Sequence, residues 1–147
     1  MACLLRDRRK FVPLLSLLTP LIAGCPGEAN IPGGPVGRQI SFADEIQPIF
    51  NTHCISCHSD GSFASIVGVD MRLTEGQAHG SIVDQPSSQN SSFTLIAPGD
   101  SDSSLLFLKV SSNDPPVGST MPLIGQPLSS GDLALLRDWI DQGALDN

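Results

Sequence analysis

The chain has no tyrosine, one tryptophan and six phenylalanines among 147 residues, so aromatic side chains cannot fill a large core. Cations are scarce as well: eight Lys and Arg face fifteen Asp and Glu, a formal net charge of −7. That balance excludes nucleic acid as a partner, because phosphate binding needs Lys and Arg to displace counterions. No apolar run reaches the ~20 residues that span a bilayer as a helix. The stretch from Phe11 to Gly24 is uncharged but holds 14 residues, two of them proline. Four cysteines, Cys3, Cys25, Cys54 and Cys57, allow two disulfides at most. Fourteen glycines and twelve prolines are plentiful by contrast, so much of the chain is turns and loops. The length suits one domain.

The N-terminus reads as a leader. Arg6, Arg8, Arg9 and Lys10 form a basic region ahead of the apolar stretch, which ends Ile22-Ala23-Gly24-Cys25. Small residues leading into a cysteine resemble the bacterial lipobox. That resemblance implies cleavage of residues 1–24, lipidation of Cys25 and a membrane-anchored lipoprotein. An ordinary secretory signal with an incidental cysteine is the alternative, and export follows from either. The mature chain would keep 4 basic and 14 acidic groups, a net charge of −10. Its cations would be Arg38, Arg72, Lys109 and Arg137. Pro26 is not the Asp that retains some lipoproteins at the inner membrane, which leans the expectation to the outer one. Residues 25–40 are rich in Gly and Pro and lack periodicity, as a flexible tether would be. The folded domain is expected over 41–147.

Ser41 is a good N-cap, and Asp44 and Glu45 put negative charge into the first turn. Phe42, Ile46, Ile49 and Phe50 then mark one face of a helix of about three turns. It runs into Cys54-Ile55-Ser56-Cys57-His58, a C-x-x-C-H, the attachment sequence of c-type haem. Two thiols three positions apart on a turn can reach the two vinyl groups of one porphyrin, which brings the next residue under the ring. Random placement of this chain's Cys and His would give the pattern in roughly 0.2% of such sequences. A zinc site would need a second Cys/His pair at ligand spacing, and only His53 and His79 remain. A thioredoxin-like pair would need a βαβ context. A plain Cys54–Cys57 disulfide leaves His58 unexplained.

Electron-transfer haems fill the second axial position with Met or His. Met121 lies in a loop rich in Pro and Gly, Pro115 to Pro122, that can arch over an open haem face. Met71 alternates with Val69 and Leu73 and reads as an inward residue of an extended segment. His53 is tied to the proximal edge and reads as a surface residue. His79, on a short helix with Thr74 as its cap, is the route to bis-histidine ligation. The sequence favours Met121, with His79 left open as the sixth ligand. Further on, Asp102 is expected to cap a helix over 103–110. Ser129, with Asp132 three residues on, is expected to cap a last helix carrying Leu133, Leu136, Trp139 and Ile140 on one face and ending at Gly143.

Together these segments resemble the class I c-type cytochromes, in a divergent branch of bacterial envelope domains. The matching residues are Ile46-Gln47-Pro48-Ile49-Phe50, the Cys54–His58 motif, Pro98-Gly99-Asp100 through Leu106, Met121-Pro122, Pro127-Leu128-Ser129 and Trp139 to Ala144. The resemblance covers about residues 41–145. It implies an all-α fold, a small cytochrome c-like helical bundle around one covalent haem c with long loops. It also implies that Cys54 and Cys57 hold the haem, with His58 and Met121 as axial ligands of the iron. The first and last helices of such a bundle cross, with Phe50 against Trp139 as the expected contact. The long Ser-rich middle, residues 59–101, and the few lysines depart from mitochondrial-type cytochromes. The expected function is single-electron transfer between cell-envelope partners, not an enzymatic reaction. The acidic surface calls for a basic docking patch on the partner. A haem peroxidase-like enzyme and a relay or sensor subunit of an envelope dehydrogenase are the alternatives.

Overall fold

The computed structural model describes residues 38–147. The leader-like segment, Cys25 as the expected lipidation site and most of the expected tether lie outside them. Among the described residues the regular secondary structure is helical, joined by long loops, with three isolated β-bridges and no strand.

A π-helical turn, Phe42–Ile46, leads directly into α1, Gln47–His53. Ser41 caps the turn through its side chain, which accepts the Asp44 N–H at 3.2 Å. Pro48 explains the widened turn: it brings no N–H, and its ring crowds the carbonyl four residues back. Three short helices follow: α2, Phe63–Ile66, α3, Ala78–Ile82, and α4, Leu105–Ser111. The last and longest is α5, Ser130–Asp141.

Two helix starts differ from the sequence reading. Thr74 does not cap α3; its carbonyl closes a preceding turn on the Gln77 and Ala78 N–H groups. Nor does Asp102 cap α4. Residues 101–104 form a turn, and the helix begins after Ser104. The reason lies across the chain. The carbonyls of Thr94 and Leu95 take the first two α4 amides, Leu105 and Leu106, at 3.0 Å each. An extended neighbour thus satisfies donors that a capping side chain would otherwise serve. The α5 start matches expectation in full: Ser129 and Asp132 form a reciprocal capping box.

The core joins both ends of the described chain. Ile40, Phe42, Ile46 and Phe50 pack with Leu105, Leu136, Trp139 and Ile140, all buried. Each such side chain stabilises by roughly 1.5–3 kcal/mol of apolar transfer. Ile40 therefore belongs to the domain, not to the tether, and its N–H donates to Gln142 Oε1 at 2.8 Å. The expected Phe50–Trp139 contact is replaced. Phe42 stacks on Trp139 with centroids 5.3 Å apart and meets Phe50 edge-on at 6.2 Å. Phe50 is instead turned toward the cavity described next.

Candidate haem site

α1 stops where the motif begins, but its winding continues. Cys54 N–H bonds the Phe50 carbonyl at 2.9 Å, and the Cys54 carbonyl then accepts from Cys57 at 3.1 Å and His58 at 2.9 Å. One carbonyl thus gathers the second thiol and the imidazole into a single turn. The exit is fixed too. Leu73 N–H reaches the His58 carbonyl at 2.8 Å, Ala64 N–H reaches that of Cys57 at 3.1 Å, and Ser62 Oγ donates to the same Cys57 oxygen.

Cys54, Cys57, His58 and Met121 line one cavity. Its walls are apolar: Phe50, Leu73, Leu95, Leu105, Leu106 and Leu136 come from every quarter of the domain. At its rim Phe63, Val67, Leu123 and Ile124 are exposed. His58 and Met121, 63 positions apart in the sequence, thus share the lining of one cavity.

Both thiols are free, with no disulfide between them. Burial, then the neighbouring Cys57, pushes the Cys54 thiol up to about 11. Burial likewise pushes the His58 imidazole below its ordinary value. The Met71 backbone opposes that shift and the Lys109 ammonium adds to it. His58 Nδ1 is buried and has no hydrogen-bond partner, since the Met71 backbone does not meet hydrogen-bond geometry. The buried His58 Nδ1 thus keeps bonding capacity that the apolar walls around it do not use. Among the described residues, no cluster of three or more His, Cys, Asp and Glu is arranged to hold a metal ion. The thiols, the imidazole, the thioether and the apolar walls together fit a covalently attached porphyrin.

The other candidate ligands lie in different places. Met71 lines the cavity and packs against the core. His53 lines it as well, at its edge, with Nε2 3.9 Å from Asp132. His79 does not line it. Its Nε2–H donates to the Ala144 carbonyl at 2.8 Å, and its ring meets Phe42 and Trp139 edge-on at 5.3 and 6.2 Å. His79 holds the C-terminal turn, away from the cavity.

The sequence reading missed the part played by Lys109. It lies on α4 and is 9% exposed, lines the cavity, and bonds the loop that carries Met121. The signal was present: a single lysine inside the apolar run Leu105-Leu106-Phe107-Leu108-Lys109-Val110.

No protein-family model matches the chain, and no curated protein matches it. A solved structure of hydrazine synthase from Kuenenia stuttgartiensis is similar over 73% of this chain, at 22% identity and a TM-score of 0.47. The match spans 16% of that chain's length, and a likeness this weak carries no argument about the site. Among the described residues, no helix is long and apolar enough to cross a membrane.

Proposed function

We propose that the chain is a monohaem c-type cytochrome domain that carries single electrons between cell-envelope partners. One observation carries the reading: both C-x-x-C-H thiols, the His58 imidazole and the Met121 thioether line the same apolar cavity. Bound haem supplies an iron that alternates between the ferric and ferrous states. The chain's residues do the rest. Cys54 and Cys57 anchor the porphyrin through thioether bonds, so the cofactor stays when the iron changes charge. His58, placed by the turn that Cys54 closes, and Met121, on the loop that lines the same cavity, would hold the iron. The leucines of α4 and α5 exclude water. A thioether ligand and a dry pocket both favour the ferrous state, which implies a relatively high potential.

The leader-like residues 1–24 and Cys25 support export and a lipid anchor on the periplasmic face of a bacterial membrane. The acidic surface supports a partner with a basic docking patch. Absorption spectra test the axial pair. The oxidised protein is expected to show a thioether–iron charge-transfer band that Met121→Ala abolishes. A high-spin resting spectrum in the wild type would sink the carrier reading and favour a peroxidase-like open site.

A further inference from the structure

The loop from Ser112 to Met121 has no regular secondary structure and holds Pro115, Pro116 and Gly118. Few bonds tie it to α4. Thr120 Oγ1 donates to the Ser112 carbonyl at 3.1 Å. The Ser112 N–H bonds the Leu108 carbonyl at 3.1 Å where the helix ends, and the remaining ties use one residue. Lys109 Nζ donates to the Val117 carbonyl at 2.6 Å and the Ser119 carbonyl at 3.1 Å. At its other end, the Lys109 carbonyl accepts the Met121 N–H at 2.8 Å. One lysine thus grips the loop through both its side chain and its backbone, on either side of Thr120.

This lysine is an expensive choice for its place. Its side chain is buried on a helix whose neighbours are Leu, Phe and Val, and no carboxylate lies within ion-pair distance among the described residues. A buried ammonium is tolerated only where its donors are used. Here two of the three are spent on loop carbonyls. The fit is close on the loop side: a Cβ added at Gly118, which has a φ of +63°, would stand 3.1 Å from Nζ. A leucine or methionine would pack at this position but could not bond the loop.

We infer that Lys109 is a positioning residue for the distal ligand: its ammonium clasps residues 117–119 so that Met121 is held over the open face of the haem. The inference rests on the reading of Met121 as that ligand. Removing the clasp frees the loop to sample other conformations, and the order lost there is lost from the iron–thioether bond. The effect is on ligation, not on haem attachment, which depends on Cys54 and Cys57.

The test uses the full-length, haem-loaded protein and three substitutions: Lys109→Met, Lys109→Gln and Lys109→Arg. Met keeps the length and loses every donor, Gln keeps a neutral donor group, and Arg keeps both charge and donors. Covalent haem content is expected to be equal in all. The oxidised thioether–iron band is expected to weaken in the order Arg, Gln, Met. Imidazole, added as a competing ligand, is expected to bind Lys109→Met at least tenfold more tightly than the wild type, about 1.4 kcal/mol. Arg is expected to restore resistance. If Lys109→Met does not fold, the comparison of Gln with Arg carries the same reading. A wild-type band that Met and Gln leave intact, with unchanged imidazole affinity, overturns the role of Lys109 alone. Equal loss in all three variants makes Lys109 a packing residue and also overturns it. A wild type without the band removes Met121 as ligand and overturns both readings.

Discussion

His79 is the residue whose substitution separates this account from a bis-histidine haem. Its Nε2–H donates to the Ala144 carbonyl at 2.8 Å, and its ring makes edge contacts with Phe42 and Trp139. His79→Ala removes one hydrogen bond, about 1 kcal/mol, and leaves the Ala144 carbonyl to find water. It also removes two aromatic pairs at 5.3 and 6.2 Å, each worth about 0.5 kcal/mol at the low end. The expected loss is about 2 kcal/mol. For a domain of this size that corresponds to a melting temperature lower by about 8 °C. Thermal unfolding of the haem-loaded protein, followed by circular dichroism, gives the first readout. The oxidised absorption spectrum gives the second, and there no change is expected. A variant of wild-type stability with an altered axial-ligand spectrum would refute the reasoning, because it would make His79 a ligand and not a latch.

Other consequences follow from the same contacts. Ser129→Ala breaks the capping box of α5 and is expected to cost about 1 kcal/mol, read as a lower urea midpoint at constant slope. Phe42→Ala is expected to cost about 3–5 kcal/mol, because Phe42 stands between Phe50, Trp139 and His79. The Arg38 guanidinium first, then the Ser41 backbone, holds the Glu45 carboxyl below its ordinary 4.5. A depressed carboxylate stabilises the fold above that value and loses its contribution as pH falls through the folded one. Glu45→Gln is therefore expected to flatten the stability profile below about pH 4.5, with a small loss of stability near neutrality that vanishes in acid. Electron-transfer rates with a basic partner are expected to fall as salt is raised, and a salt-independent rate would contradict steering by the acidic surface.

How far the sequence could be read depended on the range of the interactions. Ser41, Ser129 and Asp132 were legible because a cap involves residues three apart, and the Cys54–His58 turn because its spacing is its chemistry. The start of α4 was not legible: its first amides are satisfied by Thr94 and Leu95, about ten residues away and on an extended segment. The aromatic contact was misassigned for a similar reason. Phe42 and Phe50 share a helical face, and periodicity cannot tell which one meets Trp139 and which one turns to the cavity. Met121 could be picked as a candidate from its loop, but the bonds from Lys109 to that loop could not, because its side-chain partners lie eight and ten residues on. Ile40 looked like the end of a tether because the segment before it is rich in Gly and Pro; the burial of its side chain and its bond to Gln142 show otherwise.

The central claim is that Cys54 and Cys57 hold a haem covalently. It is tested most directly by a peroxidase-activity haem stain on the denatured protein after electrophoresis, beside Cys54→Ala/Cys57→Ala. The wild-type band is expected to stain at the mass of the chain, and the double variant to lose the stain. A wild-type protein, expressed with haem-attachment machinery, that runs unstained would contradict the account.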